Sequence, residues 1–243
     1  GYKVALSSGS KSLSTSSNIG VSTYKTPTSG TDVLFATGAT EEMKACFTAD
    51  NSDYYVSYKD SGLYLGVRTT YSDLYYKEGE FYSDSACSNS TGITKMSEAV
   101  VSMTSSGKIH MLSQYASLTD ETITVPAGKN ITVIRDSSFT DASMFSITGG
   151  TFTVNAPKTN SSITIDGNKD NVTASVDKGG AFYVGGKSKG FILNGAEKSG
   201  GGKTITIQNN AISSSSSSSP SFGGGIYILW GTNTLTNCSI TEN

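Results

Sequence analysis

Asp166-Gly167-Asn168-Lys169-Asp170 sets oxygen-bearing side chains on alternate residues, a spacing that could hold a lone Ca²⁺ on Asp166, Asn168 and Asp170. The twelfth-position Glu of a helix-loop-helix calcium site is missing, and Asp-Gly is also common turn chemistry, so a plain turn explains the same residues. The remaining carboxylates of this half of the chain, Asp120, Glu121, Asp136, Asp141, Asp177, Glu197 and Glu242, are scattered. A glycosidase would need two of them facing each other across about 5–9.5 Å, and a lyase would need a clustered acidic metal site. Arg135-Asp136 reads as a local salt bridge or a solvated loop. The single His, His110, has no Cys/His cluster around it with which to build a zinc site, and reads as structural or exposed. No serine lies in a nucleophile-elbow context and no glycine run forms a phosphate loop. These residues imply no catalytic group and no organic cofactor.

A second set could bind rather than react. Tyr54, Tyr55, Tyr58, Tyr64, Tyr71, Tyr75 and Tyr76, followed by Tyr82, crowd one short stretch. Tyrosine offers amphipathic contact area at low entropic cost, so the group is a candidate ligand-binding surface, although strand packing also consumes tyrosines. Cys46 and Cys87 bracket the stretch and would pair in an oxidising compartment; three buried thiols, with Cys238 in the last repeat, are the other reading.

The elements that must position these residues differ along the chain. Residues 1–30 hold Ser/Thr/Gly clusters and one short apolar alternation at Lys3-Val4-Ala5-Leu6, which predicts an edge strand. Residues 53–58, 63–70 and 80–82 read as strands with turns at Asp60-Ser61-Gly62 and Lys77-Glu78-Gly79, giving a small antiparallel β domain over 1–92. Residues 93–106 then read as an amphipathic helix, with Thr94 as N-cap, Gly107 as terminator, and Ile93, Met96, Ala99, Val100 and Met103 on its apolar face.

From residue 108 onward two apolar ladders recur at roughly 20-residue intervals: Ile123, Met144, Ile163, Phe182, Ile205, Ile226, and Ile131, Phe152, Val172, Phe191, Ile212, Leu235. Short triplets such as Thr122-Ile123-Thr124 carry them. The expectation is an all-β chain in which 93–243 forms a right-handed parallel β-helix, a solenoid of 20-residue coils capped at its start by the helix. Asn155, Asn168, Asn194, Asn210 and Asn237 would sit near the corners. Thr132, Thr153 and Thr173 would stack outward in successive coils, a row of the kind that orders ice-like water. A loop is expected at 213–220, a serine run. The pattern breaks off at Asn243, so the chain is expected to be a fragment, with Gly1 left by tag removal.

With 16% charged residues, a net charge of −2 and only Arg68 and Arg135 as arginines, the chain lacks the basic face that phosphate backbones need, which excludes nucleic acid as an expected partner. No apolar run approaches the ~20 residues of a membrane-spanning helix, so membrane anchoring would need segments outside this chain.

Gly179-Gly180-Ala181-Phe182-Tyr183-Val184 and Phe191-Ile192-Leu193-Asn194, with a second copy at Gly223-Gly224-Gly225-Ile226-Tyr227-Ile228, resemble the paired GGA(I/L/V) and FxxN repeats of the polymorphic outer membrane proteins, best known from chlamydiae. The resemblance covers residues 108–243. It implies an extracellular or outer-membrane-associated bacterial adhesin, a surface-displayed stalk that binds host, matrix or bacterial surface proteins or glycans. The same solenoid fold also hosts carbohydrate-active enzymes, polysaccharide lyases and glycoside hydrolases among them, and these are the alternative reading. A structural spacer with no binding patch is a third.

Overall fold

The computed structural model describes residues 4–5, 17–51, 53–175, 179–213 and 223–243. Asp177 and the serine-rich loop at 214–220 lie outside these. The fold is mostly β, and the chain divides into two compact units, Gly1–Thr69 and Thr70–Asn243.

The first unit contains β1 (Val4–Ala5), β2 (Ile19–Val21), β3 (Val33–Thr37), α1 (Glu41–Lys44), β4 (Phe47–Ala49), β5 (Tyr54–Lys59) and β6 (Gly62–Val67). One sheet has the order β1-β3-β6-β5, and β2 pairs with β4. β5 and β6 form a hairpin because Asp60 and Ser61 both adopt positive φ, at 49° and 57°, the twist a two-residue hairpin turn requires. β1–β3 and β2–β4 run parallel, so the unit is mixed rather than the expected antiparallel one. Its small core is Ala36, Ala39, Met43 and Leu63, with Phe35, Phe47, Val56 and Tyr58 packed against it.

The second unit begins earlier than the expected boundary near Gly92. It contains β7 (Tyr71–Lys77), β8 (Glu80–Tyr82), α2 (Met96–Ser102), β9 (Met103–Met111), β10 (Tyr115–Ser117), β11 (Glu121–Thr124), β12 (Asn130–Arg135), β13 (Phe145–Ala156), β14 (Ser162–Asp166), β15 (Phe182–Gly195), β16 (Ile205–Gln208), β17 (Ile226–Ile228), β18 (Thr232–Thr236) and β19 (Cys238–Thr241). A seven-stranded sheet has the order β19-β16-β14-β12-β9-β7-β8 and is parallel except for the β7–β8 hairpin. The other sheet is parallel throughout: β13 and β15 lie side by side, β10 and β11 flank β13, and β17 and β18 flank β15. β7 and β9 pair in parallel, which brings Tyr71, Tyr75 and Tyr76 into this unit.

From β9 onward the chain alternates between the two sheets. Several ladder residues two steps apart are therefore lateral neighbours, although Ile123 and Ile163, also two steps apart, lie on opposite sheets. Ile163 pairs with Ile205, Phe182 with Ile226, and Phe152 with Phe191. The expected 20-residue coil is thus half of the pairing repeat. The columns point inward because side chains alternate along a strand: Ile109, Val133, Ile165 and Ile207 form one buried column, and Phe145 stacks on Phe182 at 4.8 Å in another. Each such side chain contributes about 1.5–3 kcal/mol by leaving water. Ile226, Ile212 and Leu235, at the far edge, are only partly covered or exposed.

The helix is shorter than expected. Met96, Ala99 and Val100 are buried, but Met103 already starts β9, and Gly107 is buried inside that strand instead of ending the helix. Thr94 makes no cap, because Lys95 holds the N-cap position and provides no side-chain bond. Glu121 replaces it from a distance: the Ser97 amide donates to Oε1 at 3.1 Å, and the Met96 amide donates to the Tyr115 hydroxyl at 3.0 Å.

Candidate functional site: the outer face of the seven-stranded sheet

Residues that face outward on β7 and β9 form the most chemically varied group in the second unit. Register sets Asp73 beside Lys108 and Tyr75 beside His110, while the β7–β8 hairpin sets Tyr82 beside Tyr75. The Tyr75 and His110 rings stack at 4.6 Å with 13° between planes, and His110 Nε2 lies 3.2 Å from Asp73 Oδ1. A carboxylate at one ring nitrogen fixes the imidazole plane, and the stacked phenol fixes it from the side. The Tyr82 hydroxyl donates to Glu80 Oε2 at 3.2 Å, and the Ser90 hydroxyl donates to Glu80 Oε1.

Acidic groups act on this pair. The Tyr75 phenol is held above its usual pKa by burial first, then by Asp73, Asp136 and Asp84, with the Cys87 thiol adding to them. Burial opposes ionisation of Asp84, but the amides of Asn89, Ser88 and Ala86 more than offset it and hold the carboxyl below the usual range. Burial pushes the Cys87 thiol up, Lys77 pulls it down, and Asp84 and Asp136 push it up again. A stacked aromatic pair with a carboxylate on one ring nitrogen is suited to holding a ligand by stacking and hydrogen bonds.

The seven expected tyrosines divide between the two units. Tyr54, Tyr55 and Tyr58 lie on β5 and Tyr64 on β6, in the first unit. There Tyr58 packs on the core, and Tyr54 lines a recess of 140 Å³ with Pro27 and Leu65. A larger cleft in that unit, 720 Å³, is lined by Ile19, Val33, Phe35 and Phe47, with none of the seven tyrosines. On β7, Tyr76 is buried against Phe81 and Tyr115, at 4.9 Å and 5.2 Å, and Tyr71 is half-buried against the core. Only Tyr75 of the seven joins the polar group on the outer face.

Other expectations resolve into structure. Asp166 Oδ1 accepts the Asn168 amide at 2.8 Å, and Oδ2 accepts from Gln208 and Asn209 on the neighbouring strand. Asn168, at φ 58°, donates to the Arg135 carbonyl and accepts from Asn171, while Asp170 is exposed. Asp166 and Asn168 therefore tie a turn to its neighbours. Among the described residues no group of three or more His, Cys, Asp or Glu side chains could hold a metal ion.

Arg135 is neither in a solvated loop nor paired with Asp136. It is 1% exposed, donates to the carbonyls of Phe139, Ala142 and Gly180, and lies 4.7 Å over the Phe139 ring. Burial pushes the guanidinium down to about 10, with Asp141 acting against it.

Cys46 lies in the first unit and Cys87 in the second. The outward threonine row is Thr132, Thr164 and Thr206 on the seven-stranded sheet, between Lys108 and Ser239; Thr153 belongs to the other sheet, beside Thr122 and Ile192. Asn194 does reach Asn155, at 3.4 Å.

Sequence reasoning missed three members of the outer-face group: Asp73, the stacking role of His110, and Asp84. A strand pair at residues 71–77 and 108–111 would have found them, but parallel pairing leaves no local mark in the sequence. Comparison with protein-family models, with curated proteins and with solved structures gave no match.

Proposed function

We propose that this chain is a non-catalytic, adhesin-like surface protein whose second unit winds as a right-handed parallel β-helix. Support for the winding comes from the regular alternation between two parallel sheets, since crossover connections between parallel strands are right-handed in nearly all known cases. β7, β8 and α2 act as the cap at one end of this coil.

The observation that carries the binding reading is the Tyr75–His110 stack, anchored by Asp73 on an outward sheet face. Aromatic and hydrogen-bonding groups held rigidly on a sheet lose little entropy when a ligand docks. Three of the candidate carboxylates make structural bonds: Glu121 at the helix start, Asp166 across the turn, and Asp120 with the Thr151 amide at 2.7 Å. Low charge and Ser/Thr/Asn-rich outer faces favour an extracellular or cell-surface setting, with host or bacterial surface proteins or glycans as partners.

The test is a screen of the full chain against immobilised matrix proteins and a glycan array, together with Tyr75→Ala and His110→Ala. Binding to at least one target, weakened about tenfold in both variants, supports the reading. No binding to any target, or release of cleavage products from acidic polysaccharides, overturns it.

A further inference from the structure

We propose that one bend of the second unit docks on an anionic lipid surface, with Leu118, Leu229 and Trp230 entering the headgroup region and Lys187 and Lys189 meeting the lipid phosphates. This contact is separate from the Tyr75–His110 group and goes beyond the function proposed above, whose partners are proteins or glycans.

Register builds the bend. β10 and β11 both pair with β13, and β17 and β18 both pair with β15, so segments 118–120 and 229–231 fall beside 147–151 and 184–190, where β13 and β15 shift register against each other. A shift of that kind bends a strand. Glycines let the four segments touch: Gly149 lies against the Leu118 carbonyl, Gly186 against Thr148, and Gly231 against the Lys189 carbonyl. The Leu229 amide donates to the Val184 carbonyl at 2.8 Å, and Asn233 donates to the carbonyls of Trp230 and Gly231, which fixes the turn that carries the indole. Four layers at strand spacing span about 15 Å.

The apolar side chains at this bend are not core residues left at an uncovered edge. Ile228, Leu235 and Ile240 are exposed too, but they share register with the buried Val184, Leu193 and Ile207 and so occupy core columns. Leu118, Leu229 and Trp230, at 69%, 46% and 61% exposure, lie between strands and belong to no such column. Lys187 and Lys189 are exposed in the layer between Leu118 and Trp230, and neither makes an ion pair among the described residues. The one carboxylate in the four segments, Asp120, is held by the Thr151 amide at 2.7 Å. The bend is therefore cationic and apolar at once.

That combination selects the occupant. A stable protein interface buries about 800 Å² on each partner, more than a ridge this narrow offers. A bilayer surface needs no matching shape. Tryptophan and leucine settle in its interfacial zone, and lysines are drawn to an anionic leaflet. Contact of this peripheral kind needs no apolar run long enough to span.

Trp230 is the only tryptophan in the chain, so its emission reports on the bend directly. The full chain is titrated with vesicles of phosphatidylcholine alone and with vesicles of an equal mixture of phosphatidylcholine and phosphatidylserine. The proposal expects a saturable blue shift with the mixed vesicles, reversed by high salt, and quenching by brominated acyl chains. In vesicle sedimentation, Lys187→Ala with Lys189→Ala, and separately Leu229→Ser with Trp230→Ser, are each expected to weaken binding about tenfold or more. Lys187→Arg with Lys189→Arg is expected to keep it, as is Tyr75→Ala, and thermal melting checks that every variant stays folded. No response to the mixed vesicles, an equal response to phosphatidylcholine alone, binding that survives either weakening pair, or binding lost with Tyr75→Ala overturns the proposal. A dimer formed without lipid and dissolved by Leu229→Ser with Trp230→Ser also overturns it, and would give the bend to a second copy of the chain.

Discussion

The Tyr115 hydroxyl donates to Glu121 Oε2 at 2.7 Å while it accepts the Met96 amide, so one side chain from β10 and one from β11 together close the open start of α2. The carboxylate also sits at the positive end of the helix. Tyr115→Phe or Glu121→Gln is expected to lower stability by about 1–2 kcal/mol, read by urea denaturation. Thr94→Ala is expected to change nothing, since Thr94 makes no cap.

The same pair gives an alkaline signature. Burial first, then the bond to Glu121, raises the Tyr115 pKa, and burial raises that of Tyr76. The folded chain holds these protons more tightly than the unfolded one, so their stabilisation is complete below about pH 10 and is lost as the pH rises beyond it. The melting temperature is expected to fall above that pH, and less steeply in Tyr115→Phe.

Arg135 joins the carbonyls of Phe139, Ala142 and Gly180, the last of which also accepts the Met144 amide. Lysine cannot reproduce that fork, and Arg135→Lys is expected to cost about 3 kcal/mol or more in equilibrium unfolding. The result that contradicts this is a variant as stable as the parent.

Gly150 has φ 62° at the point where the β13–β15 register shifts, and a Cβ there would overlap the Thr119–Asp120 backbone. Gly150→Ala is expected to destabilise by about 2 kcal/mol or more, seen as a lowered melting temperature. Gly128, also at positive φ but with open space around it, is expected to tolerate alanine better.

Tyr75→Ala removes a ring from an outward face and is expected to cost under about 1 kcal/mol of stability. Loss of ligand binding without loss of fold, compared by thermal melting and the array screen, is the expected pattern.

Much of the β architecture was legible because alternation and turn chemistry are local. The hairpin turns at Asp60-Ser61 and Glu78-Gly79 lie where their residues predicted them, and most ladder side chains are buried. What failed was long-range. The ladders could not reveal which sheet each step belongs to, because an inward Ile looks the same on either one. Tyr71 to Tyr76 were placed with the earlier tyrosines because nothing near them signals that their partner is β9. Met103 suits both the apolar face of a helix and the first inward position of a strand, so the sequence pattern runs past the true end of α2 at Ser102.

In the second unit, β7–β8 is the one antiparallel hairpin among the described strands, and from β9 onward each strand meets its lateral partners only after the chain has crossed to the opposite sheet and back. Assembly must therefore close long loops before most backbone bonds can form, which makes for slow folding. The hairpin can form first at low entropic cost and offer β9 a ready edge, so growth would run from that end in one direction, each new layer templated by the last.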